Sequence, residues 1–155
     1  MPQDPASQKQ FIDFLIYVAE QGYASDTAQI GRLDDGSRDL VLEQNGFRFH
    51  DNWFGGEPFG GREVVSKAGQ VLWMAVYYGS FTTDVEVGTK VLRVAMSKPD
   101  AEFPVRGPKT YTENGYRYTY EWKGNINRFE SVEKIYQPSG TQIYQAEISG
   151  GLVDQ

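Results

Sequence analysis

Apolar residues recur at helical spacing in the first part of the chain. They fall at i, i+3, i+4 and i+7, at Phe11, Phe14, Leu15 and Val18. A capping box formed by Ser7 and Gln10 precedes this stripe, and Gly22 follows it. The pattern therefore predicts a helix over about residues 8–20 with one face in a core.

A second helical stretch follows in the middle of the chain. It opens on an acidic capping box from Thr83 to Glu86 and ends at Lys98-Pro99, which predicts a helix over about residues 83–97. The residues expected on its buried face are Val87, Val91, Val94 and Ala95.

Alternating apolar and polar residues, which are typical of strands, occupy most of the remaining chain. Strands are predicted over residues 39–44, 47–53, 61–67, 70–78, 110–113, 116–122, 128–137 and 141–149. Asn45-Gly46 and Asn114-Gly115 are the dipeptides most typical of two-residue hairpins. Between these elements we expect a disordered arm over residues 1–6, a loop over 23–38 and an extended connection over 100–109.

The two hairpins introduce an internal similarity. Asn45-Gly46-Phe47-Arg48-Phe49 corresponds to Asn114-Gly115-Tyr116-Arg117-Tyr118, and the correspondence continues through Trp53 with Trp122, Phe59 with Phe129, Gly69 with Gly140 and Gly79 with Gly150. We interpret the chain as one α+β domain over residues 1–155 with two repeat halves, about 7–79 and 83–151, each a helix followed by an antiparallel meander. The two meanders are expected to form one antiparallel sheet with both helices on one face. The alternative is chance similarity between two hairpin-rich segments.

The last strands of the two halves differ on one face. With Trp73, Ala75 and Tyr77 assigned to the core, the opposite face carries Met74, Val76 and Tyr78 in the first half but Gln145, Glu147 and Ser149 in the second. A strand that is apolar on both faces needs a cover on both faces. The expected covers are the loop over 23–38, a second copy of the chain, or a ligand.

Composition and charge exclude several kinds of function. Cys is absent and His50 is the only His, so disulfides, thiolate chemistry and a His-based metal site or triad are not expected. A net charge of −6 argues against duplex DNA as a partner of this domain. The chain has no apolar run of the roughly 20 residues needed to cross a bilayer. We expect a cytoplasmic protein that requires neither metal nor cofactor.

The most unusual segment is the glycine-rich stretch over residues 52–65, where carboxylates and aromatic rings lie between two strands. Glycines allow tight backbone turns, and the rings can form the apolar walls of a pocket. The candidate ligand-binding residues are Trp53, Phe54, Glu57, Phe59, Glu63 and Tyr78.

Other chemistry has weaker support in the sequence. Glu57 and Glu63 could form a general acid/base pair of a hydrolase-like enzyme. The alternative is that Glu57 accepts backbone hydrogen bonds in the turn and that Glu63 lies on a solvated strand face. His50 and Asp51 are adjacent on one strand, so they should point to opposite faces and not form a dyad. Asp34 and Asp35 fit a turn better than a calcium loop.

The glycine-rich segment also carries a family resemblance. The pattern Phe54-Gly55-Gly56-Glu57-x-Phe59-x-Gly61-x-Glu63-x-Val65, with Gly69, Trp73, Tyr77-Tyr78-Gly79, Arg106-Gly107-Pro108 and Gly150-Gly151, resembles a bacterial domain family of unknown function. Its members occur alone or behind an Xre-type helix-turn-helix regulator, and the similarity covers about residues 10–153. The resemblance implies no established activity, and the short leading segment fits a stand-alone member.

These observations lead to one hypothesis and two rivals. The leading one is a non-enzymatic domain that senses a small molecule or binds a partner. The rivals are a hydrolase-like enzyme that uses Glu57 and Glu63, and a structural homodimer joined through Met74, Val76 and Tyr78.

Overall fold

The computed structural model describes residues 4–22 and 25–154 of the chain. Over these ranges it forms two helices, α1 (Pro5–Gln21) and α2 (Val85–Met96), and nine strands. The strands are β1 (Gly31–Arg32), β2 (Arg38–Gln44), β3 (Phe47–Gly55), β4 (Phe59–Lys67), β5 (Gln70–Phe81), β6 (Thr110–Glu113), β7 (Tyr116–Asn125), β8 (Arg128–Tyr136) and β9 (Gln142–Leu152).

All nine strands belong to a single antiparallel sheet with the order β1-β2-β3-β4-β5-β9-β8-β7-β6. Each strand of a meander pairs with the next along the chain, and β5 and β9 join the two meanders at the centre of the sheet. Both helices contribute to the one core, together with side chains from β3, β4, β5, β7, β8 and β9. The prediction of an antiparallel sheet accompanied by helices is confirmed at this level.

Both Asn-Gly dipeptides form the predicted hairpin turns. Asn45 and Gly46 have φ angles of 52° and 83°, and Asn114 and Gly115 have φ angles of 50° and 81°. Positive φ at both central residues defines the turn whose twist matches that of the flanking strands. The register of β2 with β3 and of β6 with β7 therefore follows from the dipeptides themselves.

Helix α1 starts earlier than its sequence pattern predicts. Asp4 is its N-cap and accepts the backbone N–H of Ser7 at 3.0 Å, and Pro5 occupies the first turn, where its missing N–H costs nothing. The predicted arm over residues 1–6 is thus partly helical, and residues 1–3 of it lie outside the described residues. The predicted buried side chains Phe11, Phe14 and Leu15 are in the core.

Helix α2 is rotated relative to the prediction. Its buried residues are Gly88, Val91, Leu92 and Ala95, whereas Val87 is exposed. The cause is Gly88, because a Cβ at this position would lie only 3.0 Å from Cδ1 of Phe81. The absence of a side chain lets this turn of α2 approach the Phe81 ring.

The connection between α2 and β6, for which only an extended course was expected, contributes its second half to the core. Phe103 through Gly107 are all buried. The ring of Phe103 stacks on Trp122 with centroids 4.7 Å apart, and the Gly107 N–H donates to Tyr118 Oη at 3.0 Å. The core therefore receives Arg106 from a loop.

Candidate ligand-binding cavity

A cavity of about 290 Å³ lies between α2 and the core face of the sheet. Its apolar walls come from aromatic rings on β3, β4 and β5 and from Leu92 on α2. Its polar groups come from the first meander, from α2 and from Arg106 in the connection that follows α2. The principal lining side chains are Arg38, Asp51, Trp53, Glu57, Phe59, Tyr77, Phe81, Thr89, Leu92, Arg93 and Arg106. The exposed Ile30, from the predicted loop over 23–38, also borders this cavity.

The space exists because of one glycine in β4. Gly61 pairs with Trp53 on one side and with Tyr77 on the other, and all three positions face the core. A Cβ on Gly61 would lie 2.7 Å from both the Trp53 Cβ and the Tyr77 Oη. The missing side chain leaves room between the two rings and lets the Tyr77 phenol reach across β4.

Two buried carboxylic acids lie at the inner end of the cavity. Tyr77 Oη donates to Asp51 Oδ1 at 2.5 Å, and Asp51 is the direct cross-strand partner of Glu63. The side chains of directly opposed residues on one face are close neighbours in an antiparallel pair. Asp51 and Glu63 therefore form a buried acid pair beside the cavity.

A third buried carboxylate belongs to a fully bonded cluster next to this pair. Arg106 donates from Nε to Glu133 Oε2 at 3.1 Å and from Nη2 to Glu133 Oε1 at 2.8 Å. Tyr118 and Tyr144 donate their hydroxyl hydrogens to the same carboxylate at 2.5 and 2.8 Å. The bidentate pair fixes the guanidinium at the boundary between this cluster and the cavity.

The surroundings change the proton affinity of the acid pair. Burial raises the pKa of Asp51 to about 6, against the opposing effects of the Tyr77 hydrogen bond and the Arg106 charge. Burial, reinforced by the negative charge of Asp51, raises the pKa of Glu63 to about 8. At neutral pH, Glu63 therefore holds a proton and Asp51 is mostly ionised.

The outer end of the cavity carries exposed and half-exposed charges. Glu57 accepts the backbone N–H of Phe81, and Arg38 donates from Nη2 to the Gly55 carbonyl at 3.1 Å. Arg93 on α2 borders the same opening and is exposed. These contacts attach the glycine-rich turn to β2 and β5, so they shape the mouth of the cavity.

The structure divides the six residues predicted as one site. Trp53, Glu57 and Phe59 line the cavity, but Phe54 and Tyr78 project from the opposite face of the sheet, where both flank Gly60. Alternation along a strand is the reason, because neighbours such as Trp53 and Phe54 must point to opposite faces.

Glu63 differs from its prediction in another way. It was expected on a solvated strand face if it was not catalytic, yet it is buried beside Asp51. It shares the core face with Phe59, Gly61 and Val65, which are two residues apart along β4. Four residues, or about 13 Å along β4, separate Phe59 from Glu63, and Glu57 lies in the turn before Phe59.

Three residues at the inner end of the cavity were not predicted as site residues: Asp51, Tyr77 and Arg106. Asp51 did carry a signal, because it shares a strand face with Phe47, Phe49 and Trp53 and so had to be buried. The expectation that Asp51 forms no dyad with His50 agrees with the structure, where His50 contacts Asp39 at 3.0 Å. The only indication of Arg106 in the sequence was its place in the Arg-Gly-Pro segment of the family pattern.

Other surfaces of the described chain show fewer features of a binding site. A larger open depression of about 990 Å³ covers the outer face of β7, β8 and β9, where Glu121, Lys123, Glu130 and Glu147 are exposed. Within residues 4–22 and 25–154, no group of three or more His, Cys, Asp or Glu side chains is arranged to hold a metal ion. Neither helix of the described chain combines the length and apolarity required to span a bilayer.

Comparison with known proteins places the chain in a family. The family model of a domain of unknown function (DUF5680) matches residues 51–153. The chain belongs to this family. The DUF5680 region contains the entire acid pair and the Arg106–Glu133 cluster, whereas α1, β1 and β2 precede it. The expectation of a family without an established activity is confirmed. Neither the curated proteins nor the solved structures give a match.

Proposed function

We propose that this DUF5680 domain is a non-enzymatic binding domain that takes a small molecule into the cavity between α2 and the sheet and so acts in sensing. The observation that carries the proposal is the coincidence of an aromatic-walled cavity with buried ionisable side chains. Pockets that hold small ligands combine apolar walls with a few placed polar groups, and their volumes begin at roughly 300 Å³.

The energetics of the inner end support the same proposal. Removing a carboxylic acid from water destabilises the fold unless its charge is fully paired. The chain nevertheless buries Asp51 at the cavity wall and Glu63 directly opposite it on β4. Such perturbed groups concentrate at functional sites, because ligands and substrates use them.

Filling the cavity should abolish ligand binding. Thr89 lies on the α2 side of the cavity, so Thr89→Trp is expected to occupy the space that a ligand would use. The measurement is a small-molecule screen by native mass spectrometry and thermal shift on the unmodified chain, followed by titration of each hit against the variant. We expect at least a tenfold loss of affinity.

The matched control is Lys90→Trp, which adds the same ring to an exposed position of α2 next to Thr89. It should bind each hit as the unmodified chain does. Equal binding by the Thr89→Trp protein would place the ligand elsewhere and refute the proposal.

The hydrolase-like alternative has less support from the geometry. Paired catalytic carboxylates in glycoside hydrolysis lie roughly 5–9.5 Å apart across the reacting bond. Glu57 instead accepts a backbone N–H at the cavity mouth, while Glu63 is buried beyond Gly61. A ligand could contact Glu57 without any reaction at that carboxylate.

We also propose that two copies of the chain pair through the outer face of β5. Val76 and Tyr78 are 48% and 59% exposed there, which leaves the apolar side chains uncovered in the single chain. If two copies pair through this face, Val76→Lys would bury an ammonium group and convert the dimer to a monomer in analytical ultracentrifugation. Gln145→Lys on β9, in the polar half of the same face, should leave the dimer intact. An unmodified chain that sediments as a monomer would remove the proposal.

We also propose that the two halves arose as a repeat. The mirrored strand order supports this, and so do the buried carboxylates, because Glu63 of β4 and Glu133 of β8 follow Phe59 and Phe129 by four residues each. Their cross-strand partners are Ala75 and Ala146, which correspond in the sequence.

We further propose that the domain binds its small molecule in the cytoplasm. Because its net charge is −6, it would not bind DNA itself.

A further inference from the structure

We propose that the ligand of this cavity is a small organic cation, a protonated amine on an aromatic or aliphatic body, with its ammonium group directed at Asp51. The inference rests on the proposed function, because it names the chemical class of the ligand for the same cavity. It follows from the charges at the inner end, the nature of the walls and the position of the arginines.

Negative groups outnumber positive ones among the buried side chains. Within the described chain, the buried ionisable acids and bases are three acids, Asp51, Glu63 and Glu133, and one base, Arg106, and of the acids Glu63 is protonated at neutral pH. One edge of the Arg106 guanidinium, its Nε and Nη2 groups, is bonded to Glu133, so this single base is already paired with one of the three acids. Arg106 therefore has to serve both Glu133 and the acid pair, and a cation entering the cavity would add positive charge beside Asp51.

The contacts of Asp51 fit this role. Its Oδ1 atom accepts the Tyr77 hydroxyl, and the residue itself forms part of the cavity wall. An ammonium hydrogen bonded to this carboxylate would make a charge-assisted hydrogen bond in a water-poor site, where such bonds are strongest. A ligand carboxylate at the same place would meet Asp51 as a like charge.

The walls suit a cation as well as an apolar body. The rings of Trp53, Phe59, Tyr77 and Phe81 surround the cavity. Aromatic faces attract ammonium groups, and the attraction grows when the cation is removed from water. The same rings remove the apolar part of the ligand from water.

The arginines at the mouth do not reverse this balance. Arg93 is exposed and Arg38 is half-buried, and the exposed carboxylate of Glu57 borders the same opening. Water and salt screen charges in such positions, whereas the charge of buried Asp51 is screened far less. The mouth therefore affects the rate of entry more than the affinity of the bound amine.

Binding of the amine should also release a proton. An ammonium beside the acid pair favours the ionised forms of Asp51 and Glu63. The two acids therefore bind fewer protons when the amine is bound, and the difference is released to the solvent. A neutral ligand of the same shape has no such effect. Proton release is therefore a signature of the proposed contact that simple pocket filling does not produce.

Three probes with one ring system test the proposal: 2-naphthylmethylamine, 2-naphthylmethanol and 2-naphthoate, titrated calorimetrically into the full chain at pH 7. We expect the amine to bind at least tenfold more tightly than the alcohol, and the carboxylate to bind most weakly. The heat of amine binding should differ between phosphate and Tris buffers, because the released proton is taken up with different heats. Asp51→Asn should remove the preference for the amine and leave the affinity for the alcohol unchanged.

The control variant is Asp13→Asn, the same substitution on the exposed side of α1, which should keep the preference. Equal or tighter binding of the alcohol or the carboxylate would overturn the cation inference and leave the cavity as a binding site. No binding by any probe would overturn it too, and the Thr89→Trp comparison would then decide the proposed function separately. If the Asp51→Asn protein does not fold, buffer-independent amine heats in the unmodified chain still refute the inference.

Discussion

Replacing Arg106 with Met is expected to lower the free energy of unfolding by about 3–5 kcal/mol, measured by urea denaturation at pH 7. Arg106 is buried and holds the Glu133 carboxylate through two hydrogen bonds. Met keeps most of the side-chain volume but leaves that carboxylate in the core with only tyrosine hydroxyls as partners. An uncompensated buried charge is what makes the loss large.

Two comparison variants separate charge from packing. Adding Glu133→Gln to Arg106→Met removes the uncompensated charge while Tyr118 and Tyr144 can still donate to the amide oxygen, so a large part of the stability should return. Lys9→Met breaks an exposed ion pair with Asp13 on α1 and should leave stability unchanged within error. A loss for Arg106→Met no larger than that for Lys9→Met would mean that the buried pair contributes nothing beyond packing.

The parts of the fold that the sequence predicts well are those decided by local chemistry. Asn45-Gly46 and Asn114-Gly115 require positive φ angles that few other residues adopt, so both hairpins and their registers follow from four residues. The period of two along the neighbouring strands then places each side chain on a face. The chain from Phe103 to Gly107 offers no such period, and its burial depends on partners in β7 that are distant in sequence.

The candidate site was predictable in part for the same reason. The glycine-rich stretch did indicate the cavity, because Gly61 creates its space and Trp53, Glu57 and Phe59 line it. Phe54 and Tyr78 were grouped with these residues by proximity in sequence, and the alternation of faces along the strands places them on the other side of the sheet. Arg106 reaches the cavity from a loop, and no spacing rule in the sequence relates it to Asp51.

The free energy of unfolding should fall as the pH rises from about 5 to 8. The pKa of Glu63 is raised from 4.5 to about 8 in the folded chain, mainly by burial, and that of Asp51 is raised from 3.8 to about 6. Between the unfolded and folded values the folded chain holds more protons than the unfolded chain, so raising the pH favours unfolding. Below the lower values both states are protonated, and above about 8 both are ionised, so the change is confined to this window.

Glu63→Gln should remove most of this pH dependence. A pKa unit corresponds to about 1.4 kcal/mol, so the stability of the variant relative to the unmodified chain should improve by roughly 3–5 kcal/mol between pH 5 and pH 9. At pH 5, Gln replaces a protonated acid of similar shape, and the two proteins should be nearly equally stable. At pH 9 the variant should be the more stable one, because no charge has to form beside Asp51. Urea denaturation at several pH values measures the difference.

The matched control is Glu121→Gln, the same substitution on the exposed outer face of β7. Its stability curve should run parallel to that of the unmodified chain, because the substitution leaves the buried acid pair of Asp51 and Glu63 unchanged. If Glu63→Gln also runs parallel, Glu63 is ionised in the folded chain at neutral pH. The buried acids would then already carry a compensating charge, and the inner end of the cavity would have no need of a cationic ligand.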